Sequence, residues 1–312
     1  MNRIVFFLSL VPVLLPGAGL AGSAAEKQPA DDLIGPPFVT AKAWAIAHGR
    51  TGELLWSFNA EEPRKSASTT KIMCAYVVLR LADAHPEILE ETITFSRLAD
   101  STVGSTAAIK AGESLSVRDC LYGLLLPSGN DAGNALAEHF NARFAPPDEE
   151  LLCAGLDAAN LATRVNFIAE MNRIAQELGL TRTVYRSSFG DGGTASDRTT
   201  SAGDLAKLAW HAMQQPLFRE YVSTARHECL VRQPDGTPRR VVWEDTNKLL
   251  AISGYDGIKT GTTTTAGNCL VASGHRGRDH LLVVILGSDS DRGRYVDTQN
   301  LFRWAWLKLG HR

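Results

Sequence analysis

Hydrophobic and polar positions alternate in two separate parts of the chain, and a helical pattern fills the stretch between them. Alternation predicts strands over 41–48 and 53–59, joined through the hairpin signal Gly49-Arg50-Thr51-Gly52. After about residue 220 the strand pattern returns. The predicted strands there lie near 228–232 and over 257–263, 268–273 and 281–287.

The middle of the chain has the spacing of amphipathic helices. Helices are predicted over 68–81, over 117–140 with a break at Pro127-Ser128-Gly129, and over 167–178. Thr200 or Ser201, with Asp204, is a cap signal for another helix that runs to about residue 213. A last helix is predicted over 295–309, with Leu301, Phe302 and Trp306 available to pack against a sheet.

The order of these elements is strand, strand, helices, strands, helix. The first hairpin and the last three strands can join in one antiparallel sheet. We therefore predict an α/β (α+β) fold in which a five-stranded antiparallel sheet is flanked by helices, and an all-helical region of about residues 64–220 is inserted between its strands.

The first 25 residues have the pattern of a secretory signal peptide. Arg3 precedes an apolar run over residues 4–15, Pro16 and Gly17 end that run, and small residues at 21 and 23–25 suit a signal peptidase. The run is short for a membrane span, so an uncleaved anchor is the less favoured alternative. Residues 26–37 are polar and Pro-rich, typical of a linker, which leaves 38–312 as one domain.

Composition excludes several classes of function. The 34 acidic and 32 basic residues nearly balance without a basic run, which argues against a nucleic-acid partner. The eight histidines form no ligand-spaced cluster, so we predict neither a metal nor a cofactor. The five cysteines lack a Cys-x-x-Cys pair and are interpreted mainly as small buried hydrophobes. The sequence has no Gly-x-Ser-x-Gly segment, which argues against an α/β-hydrolase.

Three short motifs follow one another along the chain. They are Ser68-Thr69-Thr70-Lys71, Ser128-Gly129-Asn130 and Lys259-Thr260-Gly261. Each alone is weak evidence, as the second match to Ser-x-Asn at Ser57-Phe58-Asn59 illustrates. The ordered set is informative because it combines a hydroxyl nucleophile, an amine, a polar relay and a cation in one chain.

The first motif can supply an activated nucleophile. Side chains three apart on a helix share one face, so the Lys71 amine can reach the Ser68 hydroxyl. Lys71 can act as the base only if its pKa falls, through desolvation or a neighbouring cation such as Lys259. At a helix start the backbone N–H of Ser68 has no helical partner and can point at an oxyanion.

The other two motifs can position a substrate. Ser128 can pass a proton between Lys71 and the leaving group, and the Asn130 amide can hold the substrate while contacting Lys71. Lys259 and Thr260 would bind a terminal carboxylate, and Gly261 would allow substrate backbone to approach closely. The alternatives are an ordinary turn with an Asx hydrogen bond and an exposed threonine-rich strand.

The segments around the motifs, residues 65–79, 124–132 and 255–261, closely resemble those of the serine-type D-alanyl-D-alanine carboxypeptidases, the low-molecular-mass penicillin-binding proteins of peptidase family S11. The resemblance runs from about residue 39 to 309. It implies the β-lactamase and penicillin-binding-protein fold, makes the N–H of Thr262 a second oxyanion donor, and puts Asn247 near the cleft. Residues 144–165 look like an insertion, and we expect no C-terminal β domain after the last helix.

The resemblance implies an exported D-Ala-D-Ala carboxypeptidase that acts through an acyl-enzyme on peptidoglycan stem peptides and is acylated by β-lactams. The expected location is periplasmic or secreted, as a monomer without a stable membrane anchor. The alternatives are a β-lactamase, a D,D-endopeptidase and a non-catalytic penicillin-binding sensor; a glutaminase is disfavoured by the export signal. Gly129 and the lack of a Glu-x-x-Leu-Asn segment argue against a class A β-lactamase.

Overall fold

The structure is a computed structural model and describes residues 35–149, 163–190 and 200–311. The predicted signal peptide at 1–25, most of the predicted linker at 26–37 and Cys153 lie outside the described residues. So does the greater part of the predicted insertion at 144–165.

The predicted antiparallel sheet of five strands is confirmed, in the spatial order β2-β1-β9-β8-β7. The first hairpin thus lies beside the last strands of the chain, although more than 200 residues separate β1 from β9. The five strands are β1 (Ala43–His48), β2 (Leu54–Phe58), β7 (Tyr255–Thr263), β8 (Gly267–Arg276) and β9 (Asp279–Ser288).

Alternate residues of β1, β8 and β9 enter two separate cores, because successive side chains point to opposite faces of a sheet. On one face, Ala43, Ala45 and Ala47 of β1 contact the main core with the helical region. On the other, Trp44 and Ile46 pack in a smaller core with the last helix. That core includes the three side chains predicted to cover the sheet, Leu301, Phe302 and Trp306.

The predicted helices are present, with boundaries that shift by a few residues. The pattern over 117–140 is two helices, separated at the predicted Pro127-Ser128-Gly129 turn. The predicted cap at Ser201 is present: its Oγ accepts a hydrogen bond from the Asp204 N–H at 3.1 Å. The helices are α1 (Lys71–Ala84), α2 (Arg97–Asp100), α3 (Val117–Leu125), α4 (Asn130–Phe140), α5 (Val165–Glu177), α6 (Ala202–Gln214), α7 (Pro216–Ser223) and α8 (Asp291–Lys308).

The inserted region was predicted to be all-helical, and in that detail the prediction was wrong. A second, four-stranded sheet in the order β3-β4-β5-β6 begins inside the region and is completed after it. Its first two strands are only three residues long, too short to show a period of two in sequence. The strands are β3 (Thr92–Thr94), β4 (Ser114–Ser116), β5 (Arg226–Arg232) and β6 (Pro238–Glu244).

The fold brings the three motifs together. The first motif precedes and opens α1, the second lies in the turn between α3 and α4, and the third lies on β7. Because β7 is an edge strand of the five-stranded sheet, one row of its backbone groups is not used in sheet pairing. Within the described ranges, no helix is both long and apolar enough to cross a bilayer.

Candidate active site

Ser68 lies in a 3-10 helix, Ala67–Thr70, that leads directly into α1. The α-helix therefore begins at Lys71, three residues later than the predicted start at Ser68. Ala67, immediately before the nucleophile, has a φ of 47°, a conformation that is unfavourable for a residue with a Cβ atom. Such strain is common at functional sites and persists only where the surrounding packing holds it.

The Lys71 amine is fully buried, and it contacts oxygen atoms of Ser68, Asn130 and Phe189. Its Nζ lies 2.9 Å from Ser68 Oγ, 2.7 Å from Asn130 Oδ1 and 3.0 Å from the carbonyl oxygen of Phe189. The amide and carbonyl oxygens can only accept hydrogen bonds, whereas a hydroxyl can also donate. A neutral Lys71 can therefore direct its lone pair at the Ser68 hydroxyl while still donating to Asn130 and Phe189. This is the arrangement that a general base for Ser68 requires.

Asn130 links the Lys71 amine to the loop that precedes β4. While its Oδ1 accepts from Lys71, its Nδ2 donates to the carbonyl of Val103 at 2.8 Å. Its backbone N–H donates to the carbonyl of Ser105 at 2.7 Å. The Asn130 side chain is thus fixed on both sides, and its contact with a substrate stays a prediction.

Ser128 is buried at the turn between α3 and α4. Its φ of 64° is again unfavourable for a non-glycine residue. Its Oγ is buried and has no hydrogen-bond partner among the described residues. A buried hydroxyl without a hydrogen-bond partner costs free energy, and a substrate group can supply that partner.

Gly129 has no room for a side chain. A Cβ atom there would lie 2.6 Å from Asp131 Oδ1, 2.8 Å from the backbone nitrogen of Ala107 and 2.8 Å from the carbonyl oxygen of Gly123. Two of these three atoms belong to the backbone and cannot rotate away. The aspartate that class A β-lactamases carry in this motif would therefore displace the backbone around the Ser128 turn.

Lys259 lies buried on β7, and its Nζ has no hydrogen-bond partner among the described residues. Burial lowers the pKa of its ammonium to about 8, against the opposing effect of the Asp245 carboxylate and with a further lowering by Arg294. A buried ammonium without a partner is well suited to bind a carboxylate that enters the groove between the three motifs.

Thr260 and Gly261 connect β7 to its surroundings in different ways. The Thr260 hydroxyl lies 2.7 Å from the Thr246 hydroxyl, which fixes its orientation. A Cβ atom on residue 261 would lie 3.0 Å from the backbone nitrogen of Ser68 and 3.1 Å from the carbonyl oxygen of Ser66. The glycine was predicted to make room for substrate; the structure shows that it makes room for the nucleophile segment itself.

The side chain of Asn247 forms its hydrogen bond with the protein backbone. It begins the 3-10 helix Lys248–Ala251, where its Oδ1 accepts from the Leu249 N–H at 3.1 Å. Its Nδ2 is buried without a hydrogen-bond partner among the described residues. Only that amide nitrogen remains for the predicted substrate contact.

Arg294, on the last helix, is a site residue that the sequence analysis missed. One of its guanidinium nitrogens donates to Thr262 Oγ1 at 2.8 Å and to the carbonyl oxygen of Gly261 at 3.3 Å. It thereby fixes the end of β7 whose Thr262 N–H is the predicted second oxyanion donor. No motif surrounds Arg294, and only tertiary packing brings it to β7.

A cluster of side chains of metal-ligand type lies near the other end of β7 and β8. Asp256, His275 and His280 have donor atoms within 4.8 Å of one another, although the sequence showed no such cluster. The donors are already engaged, His275 Nε2 with Asp256 Oδ2 at 2.8 Å and His280 Nε2 with Ser273 Oγ at 2.8 Å. The two imidazoles stack with an interplanar angle of 12°, so their lone pairs do not converge on one point.

The described cysteines carry none of this chemistry. Cys74, Cys120, Cys229 and Cys269 are buried, as predicted, and they are free thiols. Burial raises the pKa of Cys74 to about 12, against the effect of nearby Lys71, so its thiol stays protonated and unreactive beside the nucleophile.

Comparison with known proteins gives a consistent result. The D-alanyl-D-alanine carboxypeptidase family profile matches residues 30–143 and 158–290. Its interruption at 144–157 supports the first part of the predicted insertion, while 158–165 matches the family. A D-alanyl-D-alanine carboxypeptidase of Streptomyces sp. strain K15 is 32% identical over 94% of this chain and 96% of its own length. DacC of Escherichia coli, also a D-alanyl-D-alanine carboxypeptidase, is 32% identical over 89% of this chain and 64% of its own.

Solved structures agree with these sequence relationships. The Streptomyces K15 DD-transpeptidase superposes with a TM-score of 0.77 at 31% identity, covering 88% of this chain and all of that one. Penicillin-binding protein 6B from Escherichia coli gives a TM-score of 0.70 at 30% identity over 86% of this chain and 78% of that chain. The predicted fold class is thus confirmed.

Proposed function

The chain belongs to the D-alanyl-D-alanine carboxypeptidase family of serine peptidases, and we propose that it removes the terminal D-alanine from peptidoglycan stem peptides through an acyl-enzyme on Ser68. The observation that carries this proposal is the contact of the buried Lys71 amine with Ser68 Oγ at 2.9 Å, beside Asn130. The Ser68 backbone packs directly against Gly261 of β7. The family works outside the cytoplasm, and we place this chain in the periplasm or among secreted proteins.

The reaction begins with the capture of the substrate's carboxylate by Lys259 and the Thr260 hydroxyl. Ser68 Oγ then attacks the carbonyl carbon of the penultimate D-alanine, and its proton passes to Lys71. The developing oxyanion would accept from the backbone N–H groups of Ser68 and Thr262. Losing one such donor typically costs about 3–4 kcal/mol in the barrier.

Collapse of this intermediate breaks the peptide bond. The proton held by Lys71 reaches the leaving amine through Ser128, whose buried Oγ has no competing partner among the described residues. D-Alanine departs, and Ser68 remains as an ester. Water then attacks the ester, with Lys71 again as the base, and restores the hydroxyl. A β-lactam would acylate the same Ser68 hydroxyl, and its ring-opened product would stay bound as an ester.

Transpeptidation is the second candidate, because a structure that superposes over its full length is a DD-transpeptidase. In that reaction an amine replaces water at the acyl-enzyme. The β-lactamase, endopeptidase and sensor alternatives have no specific structural observation in their favour. Mass spectrometry of digested muropeptides after incubation with the enzyme separates the peptidase products, since carboxypeptidase, endopeptidase and transpeptidase activities change the masses differently.

The direct test is release of D-alanine from a pentapeptide substrate by the purified protein. We expect release by the wild type and none by Ser68→Ala. Equal release by the two proteins would contradict the proposal. Rapid, repeated hydrolysis of a chromogenic cephalosporin would instead favour a β-lactamase.

A further inference from the structure

Asp245 is a carboxylate beside the groove that the reaction above does not use. Its Oδ1 accepts from the Asn247 N–H at 2.6 Å, whereas its Oδ2 is buried and has no hydrogen-bond partner among the described residues. The opposite charge that acts on it is the Lys259 ammonium, which is likewise buried and without a hydrogen-bond partner there. The two charges thus attract each other without being hydrogen-bonded.

The backbone around Asp245 joins two of the catalytic motifs. The Thr246 N–H donates to the carbonyl of Leu126 at 3.2 Å, next to the Ser128 turn. The Thr246 hydroxyl lies 2.7 Å from that of Thr260. The backbone at Asp245 is therefore held in a fixed position relative to β7. The fold thus determines the electrostatic effect of its carboxylate on the Lys259 ammonium.

We propose that Asp245 is a positioning residue that keeps Lys259 cationic inside the groove and so sets the alkaline limit for capture of the substrate's carboxylate. Its position leaves the Lys259 ammonium free of a direct salt bridge. An incoming carboxylate can then bind Lys259 without first displacing an aspartate. The inference rests on the proposed function for the identity of the substrate, but the charge coupling itself does not.

The charged groups around the pair fix the direction of the effect. Lys259 is influenced by Asp245, which favours its charged form, and by Arg294, which opposes it. Burial raises the pKa of Asp245 to about 6, against the effects of Lys259 and the Asn247 N–H. Asp245 is therefore ionised above about pH 6 and protonated below it, where it resembles a neutral asparagine.

This behaviour gives Asp245→Asn a distinctive signature. At pH 5 the wild type and the variant should capture substrate equally, because both side chains are neutral. At pH 8.5 the variant should have lost more of its Lys259 charge, and its kcat/KM for a D-Ala-D-Ala peptide should fall about tenfold through KM. Asparagine keeps the oxygen that accepts from Asn247, so the turn is retained.

Two further variants separate charge from structure. Asp245→Ser keeps a short oxygen acceptor for the turn and should show the same loss at pH 8.5 and the same equality at pH 5. Asp235→Asn removes a carboxylate from the exposed turn between β5 and β6 and should match the wild type at both pH values. A loss for Asp245→Asn that is equal at pH 5 and pH 8.5 would show a merely structural role and overturn the inference.

A titration of Lys259 tests the coupling without any substrate. In protein labelled with 13C at the lysine side chains, the Lys259 signal is identified by its absence in Lys259→Arg. Its midpoint should move to lower pH in Asp245→Asn and stay in place in Asp235→Asn. An unchanged midpoint would overturn the inference. If the wild type releases no D-alanine, the proposed function fails, while the titration still decides the role of Asp245.

Discussion

Gly261 lies so close to Ser68 that a Cβ atom on residue 261 would be 3.0 Å from the Ser68 backbone nitrogen. This nitrogen is one of the two proposed oxyanion donors, and the same Cβ would also lie 3.1 Å from Ala67 Cβ. The edge strand and the nucleophile segment are therefore packed backbone to backbone, and the glycine sets the width of the site.

Gly261→Ala should thus impair the site more than the fold. The added methyl group must push the Ser68 segment away from β7, and a displacement of this kind can reduce rates about 100-fold. The destabilisation expected of an overpacked position is about 1–3 kcal/mol. The rate of acylation by a fluorescent penicillin measures the first effect, and thermal unfolding measures the loss of stability.

Gly203→Ala is the matched control for this change. A Cβ on residue 203 would also meet an atom at 3.0 Å, but that atom is the end of the Glu61 side chain, which can move. Acylation should stay at the wild-type rate. Equal rates for the two alanine variants would contradict the proposed role of Gly261.

Lys71→Met removes the proposed base while keeping a long apolar side chain in its buried place. Because an amine no longer accepts the Ser68 proton, acylation should fall by about 100- to 10,000-fold. The control is Lys207→Met, which removes an exposed amine that donates to the carbonyl of Gly179. Stopped-flow kinetics measure the acylation rates of the two variants. A Lys71→Met rate within a factor of two of the wild-type rate would exclude Lys71 as the base.

Much of this arrangement could be predicted from the sequence, because the motifs carry side-chain chemistry. Ser68, Lys71 and Asn130 meet as their spacing and order indicated. Phe189 could not be predicted, since it contributes a backbone carbonyl that any residue has. Arg294 was missed for a different reason: its contact with Thr262 arises from packing of α8 against the sheet.

For the fold, too, some elements could be predicted from the sequence and others could not. Long strands and helices left a clear period in the sequence, and the five-stranded sheet followed from their order. The second sheet was missed because β3 and β4 have three residues each. Their pairing is determined by neighbours distant in sequence, as in the single pair that joins Ser114 to Arg232.

Substrate capture should weaken as the pH rises through about 8. Burial lowers the pKa of Lys259 to about 8, so its charge, and with it the attraction for a carboxylate, is present below that pH and lost above it. KM for a D-Ala-D-Ala peptide should therefore increase between pH 7.5 and 9. Lys259→Arg should keep its KM over this range, because a guanidinium stays charged.

The exposed Lys248→Arg variant serves as the control, since Lys248 forms a surface ion pair with Asp291 and the substitution keeps its charge. It should keep the alkaline rise of the wild type. A flat KM profile for the wild-type enzyme up to pH 9 would show that Lys259 does not bind the carboxylate.

His280 should make the protein less stable in mild acid. Burial, together with the neighbouring His275, lowers the pKa of its imidazole to about 4, below the value of about 6.5 expected in the unfolded chain. Since the unfolded state then binds more protons between these values, the free energy of unfolding falls as the pH drops from 6.5 to 4.

His280→Gln should reduce this pH dependence, which urea unfolding at pH 7 and pH 4.5 measures. His85→Gln changes an exposed histidine whose side chain is 60% accessible, and it should keep the wild-type dependence. If both variants lose stability between the two pH values as much as the wild type, His280 is not the group responsible.

The most direct test of the central claim is to find which atom of the protein becomes acylated. After incubation with benzylpenicillin, intact-mass measurement should show one added penicilloyl group. Digestion and peptide sequencing by mass spectrometry should then place it on Ser68, and Ser68→Ala should remain unmodified. An adduct on another residue, or an adduct that persists in Ser68→Ala, would contradict the account.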